Sequence, residues 1–164
     1  RLLQATDMAK KGDSISKIVE TLFPWQQELG VGSTELGITG RVDQVYRTDN
    51  VLVPVDFKTH TERFDSFLWK DAFREQVILY AILLEKQYRG TKSDTGIIEL
   101  TDDLTLQKFR ITKNDKKDAI KHIKQARAVL KMDKVPPKLS GLDAIKCSKC
   151  PYKKYCFSFE KEDK

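Results

Sequence analysis

The eight residues Val51–Lys58 constrain the fold most. Strict alternation places Val51, Val53, Val55 and Phe57 on one side of a strand and Leu52, Pro54, Asp56 and Lys58 on the other. Asp56 and Lys58 therefore project side by side. The preceding apolar run, residues 38–46, carries Gly40-Arg41-Val42-Asp43, and Thr48-Asp49-Asn50 reads as a hairpin turn that brings Asp43 back toward Asp56. Two carboxylates and an ammonium are expected to converge on one sheet face. Pro54 cannot donate to a ladder, so a bulge or a locally unpaired position is expected there.

The pattern changes on either side. Residues 1–22 read as helix, broken near Gly12 and capped again by Asp13 or Ser14, because Ile15, Ile18, Val19 and Leu22 recur on one helical face. Residues 25–59 give two or three strands, residues 68–88 a helix, and residues 96–100 and 104–111 a strand pair turned at Asp102-Asp103. A charged helix over residues 114–132 is stopped by Pro136-Pro137. Helix, strands, helix, strands, helix describes an α/β domain with a mixed sheet flanked by helices. At 164 residues, 40% of them hydrophobic, one core is sufficient, and we divide the single domain into a core over 1–138 and a cysteine-bearing tail over 139–164.

Thirty basic residues against 24 acidic ones give a net charge of +6, which favours an anionic partner. No apolar run reaches the roughly 18 residues of a membrane span and no signal-like segment opens the chain, so a cytosolic protein is expected. The chain starts at Arg1 inside helical sequence without an initiator methionine, and further residues upstream are expected. All three cysteines, Cys147, Cys150 and Cys156, fall within ten residues, which argues for a metal centre rather than scattered disulfides. Three thiolates are one short of a tetrahedral set. Zinc completed by His60 or His122, an iron-sulfur cluster and an empty knuckle all remain open.

Carboxylates beside a lysine suit phosphodiester hydrolysis. They hold Mg²⁺ while leaving positions for water and phosphate oxygens, and the ammonium offsets charge growing on the phosphate. The segments Gly40-Arg41-Val42-Asp43 and Leu52 to Thr59, with thirteen residues from Asp43 to Asp56, resemble the second and third motifs of RecB-like PD-(D/E)XK nucleases. The likeness is greatest to the CRISPR-associated Cas-four family. Gln76 and Tyr80, four apart on one helix face, match that family's Gln-x-x-x-Tyr helix.

The resemblance implies a restriction-endonuclease-like fold with a C-terminal cysteine knuckle. It implies Mg²⁺ or Mn²⁺ held by Asp43, Asp56 and the Phe57 backbone carbonyl, and Lys58, Gln76 and Tyr80 as further active-site residues. The activity implied is exonucleolytic trimming of single-stranded DNA ends. Cys147, Cys150 and Cys156, with a fourth cysteine upstream of Arg1, would carry a 4Fe-4S cluster. Arg41, Lys153 and Lys154 would touch DNA, and the Cas-one and Cas-two integrase is the implied partner, with repair or viral settings sharing the motifs. In one respect the chain departs from the family. A histidine usually follows the first-helix glycine by four residues, but Ser16 stands there and Glu20 is the nearest substitute, both weak candidates. A DNA-binding scaffold with a weakened or inactive site is the alternative.

Overall fold

The structure, a computed structural model, describes residues 2–59, 67–101 and 105–132 together with 147, 150, 151, 153 and 154. The chain divides into two compact units, Arg1–His122 and Ile123–Lys164. The sheet and the site described below belong to the first.

The N-terminal helical segment is split as its sequence demands. Helix α1, Leu2–Lys10, ends at Gly12, whose φ of 78° is the left-handed conformation that terminates a helix at low cost. Helix α2, Ile15–Leu22, restarts from Ser14, whose side chain accepts from Lys17 N at 3.4 Å, so of the two expected caps it is Ser14 that serves.

Five strands follow in the spatial order β1-β2-β3-β4-β5: Gln26–Ser33, Ile38–Thr48, Val51–Lys58, Thr95–Leu100 and Thr105–Arg110. All neighbours are antiparallel except β3 and β4. A parallel pair requires a crossover, and helix α3, Phe67–Gln87, supplies it. Helix α4, Lys113–Leu130, follows β5. This is the mixed sheet flanked by helices that the order of apolar patterns foretells. Within the first unit, Val77, Ile78, Ala81 and Ile82 of α3 close over Ile98, Leu100 and Ile111, with Ala119 of α4 in the same cluster. A second cluster joins Tyr80, Leu83 and Leu84 of α3 to Val31, Val42, Val45 and Leu52. Among the described residues no helix is long and apolar enough to cross a membrane.

Two local features set up the site. Pro54 pairs with Val45 of β2, while on the other edge of β3 Lys92 bridges Val51 and β4 pairs from Val55 onward. The missing donor thus falls in the gap before the parallel ladder, and no bulge is needed. In β2 the alternation slips: Val42 and Val45, three apart, are both fully buried. Opposite, between the pairs Gln27↔Gln44 and Leu29↔Val42, Glu28 adopts a φ of 49°, a left-handed conformation that costs a non-glycine residue roughly 1–3 kcal/mol. The slip lies at Asp43.

Candidate active site

Asp56 is the focal group. It is 2% exposed, and Lys58 Nζ lies 2.6 Å from its Oδ2, yet that oxygen has no hydrogen bond of acceptable direction. The contact is an ion pair with the carboxylate's lone-pair sites left over. Burial raises the Asp56 pKa, the Lys58 ammonium against it pulls it back, and the nearby Asp43 carboxylate pushes it up again. Asp43 comes from β2. Its Oδ2 accepts from the Phe57 amide at 2.6 Å, at the end of the β2–β3 ladder, whose last backbone pair is Gln44↔Val55. The N–H and C=O of one strand residue point to the same edge, so the Phe57 carbonyl faces the Asp43 side as well.

Lys58 is held on three sides. Its Nζ pairs with Asp56, donates to Gln76 Oε1 at 2.9 Å, and sits 4.9 Å from the centre of the Phe73 ring. Gln76 Nε2 then donates to the Tyr80 hydroxyl at 2.7 Å, which fixes the amide with its oxygen toward the lysine. The i, i+4 spacing of Gln76 and Tyr80 therefore makes one hydrogen-bonded relay ending on Lys58. Burial raises the Tyr80 pKa, the Gln76 bond opposes this, and Asp56 and Asp43 add to it, so the ring stays a neutral phenol. Tyr80 needs room: a Cβ on Gly40 would meet its Cε1 at 2.9 Å, so the glycine of Gly40-Arg41-Val42-Asp43 is the space the tyrosine fills. Phe73 is a site residue that the sequence reading did not pick out. Its signal was its place three residues before Gln76 on the same helix face.

The donor set fits a hard divalent cation. Two carboxylates, one buried with acceptor sites left over, and a backbone carbonyl are oxygen ligands of the kind Mg²⁺ takes when it keeps several waters and binds substrate phosphate. Among the described residues no group of three or more His, Cys, Asp or Glu side chains gathers as a metal site, so Asp43 and Asp56 gain no third carboxylate there. Ser16 lies exposed on α2, and the Glu20 side chain lies outside the described residues. Arg41 is exposed and pairs with Glu28 at 3.6 Å. Of the cysteines, Cys147 and Cys150 are half-buried free thiols joined by a turn in which Cys150 N donates to Cys147 O at 3.3 Å. Cys156 lies outside the described residues; Lys153 and Lys154 are exposed.

Two solved structures are similar to this chain. One is a protein named SSO0001, with 16% identity and a TM-score of 0.48 over 80% of this chain and 59% of that one. The other is described as a candidate exonuclease from Eubacterium rectale, with 13% identity and a TM-score of 0.48 over 77% of this chain and 59% of its own. The chain thus spans less than two thirds of the length of either. Curated protein sequences give no match. The sequence model of the PD-(D/E)XK nuclease superfamily matches residues 3–157. That span takes in both carboxylates, the lysine, its glutamine and tyrosine, and all three cysteines, and the chain belongs to the PD-(D/E)XK nuclease superfamily.

Proposed function

We propose that the chain is a metal-dependent deoxyribonuclease that hydrolyses phosphodiester bonds at the Asp43, Asp56 and Lys58 site. The observation that carries this reading is the buried Asp56 carboxylate, ion-paired to Lys58 with acceptor sites left over, beside a second carboxylate and with that lysine locked in place by three neighbours. A buried carboxylate answered by one ammonium has acceptor sites left over, and such under-satisfied buried groups persist where a ligand completes them. Asp43, Asp56 and the Phe57 carbonyl would hold Mg²⁺ or Mn²⁺. Such a cation supplies Lewis-acid polarisation of the phosphate and acidifies its water.

The chain's own groups do the rest. Lys58 presents positive charge where negative charge grows on the phosphate oxygens, and its value lies in being fixed beforehand. Gln76 and Tyr80 hold Nζ from one side without competing for the phosphate, because Tyr80 remains protonated. The Phe57 amide orients Asp43 and leaves its other oxygen for the cation.

The test is direct. Purified protein with Mn²⁺ or Mg²⁺ is given end-labelled single-stranded, duplex and circular DNA, with a chelator as control. Metal-dependent cleavage is expected; its absence in protein that binds Mn²⁺ calorimetrically ends the enzymatic reading. A second reading, a DNA-binding scaffold of the same fold, is favoured by the exposed Ser16 on α2. It predicts DNA binding with no product under any metal.

Finer features rest on the Cas-four resemblance: action on single-stranded ends, a 4Fe-4S cluster on Cys147, Cys150 and Cys156 with a fourth cysteine upstream, a single domain whose core runs to about residue 138, and the Cas-one and Cas-two integrase as partner. Iron and sulfide assay of anaerobically purified protein tests the cluster.

A further inference from the structure

On the surface formed by β5 and the first turns of α4, the cations divide into two groups. Those on the packed side are neutralised: Arg74 lies 3.8 Å from Asp115 and over the Phe109 ring, and Lys116 bonds Glu85 at 2.7 Å. Those facing out are not. Lys108 and Arg110 are exposed on β5, the last strand in the sheet order, and Lys113, Lys117 and Lys121 follow at four-residue spacing on one exposed face of α4, about 6 Å apart along the helix. Among the described residues no acidic side chain pairs with any of these five. Nearby acids include Asp94, which shares a shallow depression with Lys108 and Arg110, Asp118 on α4, and Asp115, which is engaged by Thr112 and Arg74. An uncompensated like-charge row repels itself, a cost that an anionic partner removes.

The row also has a direction. His122, next after Lys121, bonds Glu75 at 2.7 Å, and Glu75 is the neighbour of Gln76 in the relay that holds Lys58. We propose that Lys108, Arg110, Lys113, Lys117 and Lys121 form a track for the sugar-phosphate backbone of the DNA substrate, ending beside the helix turn that carries the site. The inference rests on the nuclease reading and adds to it where the strand lies. Contacts of this kind carry no base information and release counterions, so their signature is salt dependence.

The experiment is fluorescence anisotropy of labelled mixed-sequence DNA without divalent metal, across a KCl series, comparing the chain with a Lys113→Gln/Lys117→Gln/Lys121→Gln variant. The slope of log affinity against log salt should flatten by about 2–3, and affinity at low salt should fall on the order of tenfold. The corresponding Lys→Arg variant should restore both. A Lys10→Gln/Lys11→Gln/Lys17→Gln variant makes the same change in net charge on α1 and α2 and should leave the slope near that of the unaltered chain. An unchanged slope in the first variant, or an equal loss in the second, overturns the track while leaving the nuclease reading standing. If the unaltered chain binds no DNA, both fall. Binding to phosphatidylserine vesicles without DNA binding would assign the face to a lipid surface instead.

Discussion

Helix α2 and the sheet-and-α3 region that carries the site are built to different standards. On the β3 and α3 side, Asp56, Lys58, Gln76 and Tyr80 are linked by contacts of 2.6–2.9 Å, with Phe73 and Gly40 shaping the space around them. On α2, Ser16 is exposed, and Ile15 and Val19 on one helix face and Phe23 at the C-cap are 80%, 45% and 63% exposed. The first side is preorganised for charge stabilisation, whereas α2 brings a weak hydroxyl and an uncovered apolar stripe. Chemistry that needs fixed charges is therefore expected to depend steeply on the sheet side and shallowly on the helix.

The largest effect should come from Asp56. On the proposed mechanism Asp56→Asn removes a charge that would hold the metal and should lower cleavage by about a hundredfold or more, at or beyond the top of the roughly 10- to 100-fold range for outer partners of metal ligands. Stability should move the other way. A carboxyl whose pKa is raised by folding contributes stability fully present below the unfolded value of about 3.8 and lost as pH rises through the higher folded value. The neutral asparagine escapes that loss, so metal-free Asp56→Asn should melt higher than the parent near pH 7, with the gap closing toward pH 3.8. A variant that melts lower at neutral pH would show that the Lys58 ion pair outweighs burial.

Gly40→Ala should come next, because its new Cβ would press on the Tyr80 ring and pull the hydroxyl from Gln76. Overpacking of this kind costs about 1–3 kcal/mol, readable by urea denaturation. Gly96→Ala separates packing from function. Its Cβ would meet Val77 Cγ1 at 2.5 Å and the Phe109 ring at 2.9 Å, so it should destabilise the fold at least as much, yet spare turnover per folded molecule. Equal turnover losses in the two variants would dissolve the distinction between the relay and the core behind it.

How far these residues could be read in advance follows from the range of the forces that place them. Asp43, Asp56 and Lys58 were legible because strand alternation and a tight turn act over a few residues. Asp49, with a φ of 53°, makes that turn. Gln76 and Tyr80 were legible as one helix face, but their linkage through Oε1 to Lys58 was not, since it depends on the α3 crossover between parallel strands. Nothing local announces that Glu28 is left-handed or that Val42 and Val45 both turn inward, because the pairing of β1 with β2, Leu29↔Val42 and Gln26↔Val45, is non-local. The cysteine spacing names a metal-binding chemistry without fixing the metal.

Phe73→Leu tests the lysine's third support. Leucine keeps the apolar contact with the α3 core but loses the ring face toward Nζ, and a cation–π contact is worth about 0.5–2 kcal/mol, or roughly 2- to 30-fold in rate if lost where charge matters. The loss should appear in kcat with KM nearly unchanged, and Phe73→Tyr should recover it. A loss confined to KM would mean that the ring meets DNA rather than the lysine.

The smallest effect is expected on the helix side. Ser16→His replaces a weak oxygen donor with imidazole, a competent ligand for Mn²⁺, at a position that is exposed and so accepts a larger side chain with little strain. If α2 approaches the cation, Mn²⁺ affinity by calorimetry should rise several-fold and cleavage with it, the gain being larger for Mn²⁺ than for Mg²⁺, which prefers oxygen. On the proposed mechanism Asp43, Asp56 and the Phe57 carbonyl would hold the cation with water filling the remaining positions, so the gain should stay well below the loss caused by Asp56→Asn. No change in Mn²⁺ affinity would place α2 out of reach of the cation, and the site would then be a sheet-and-α3 device alone.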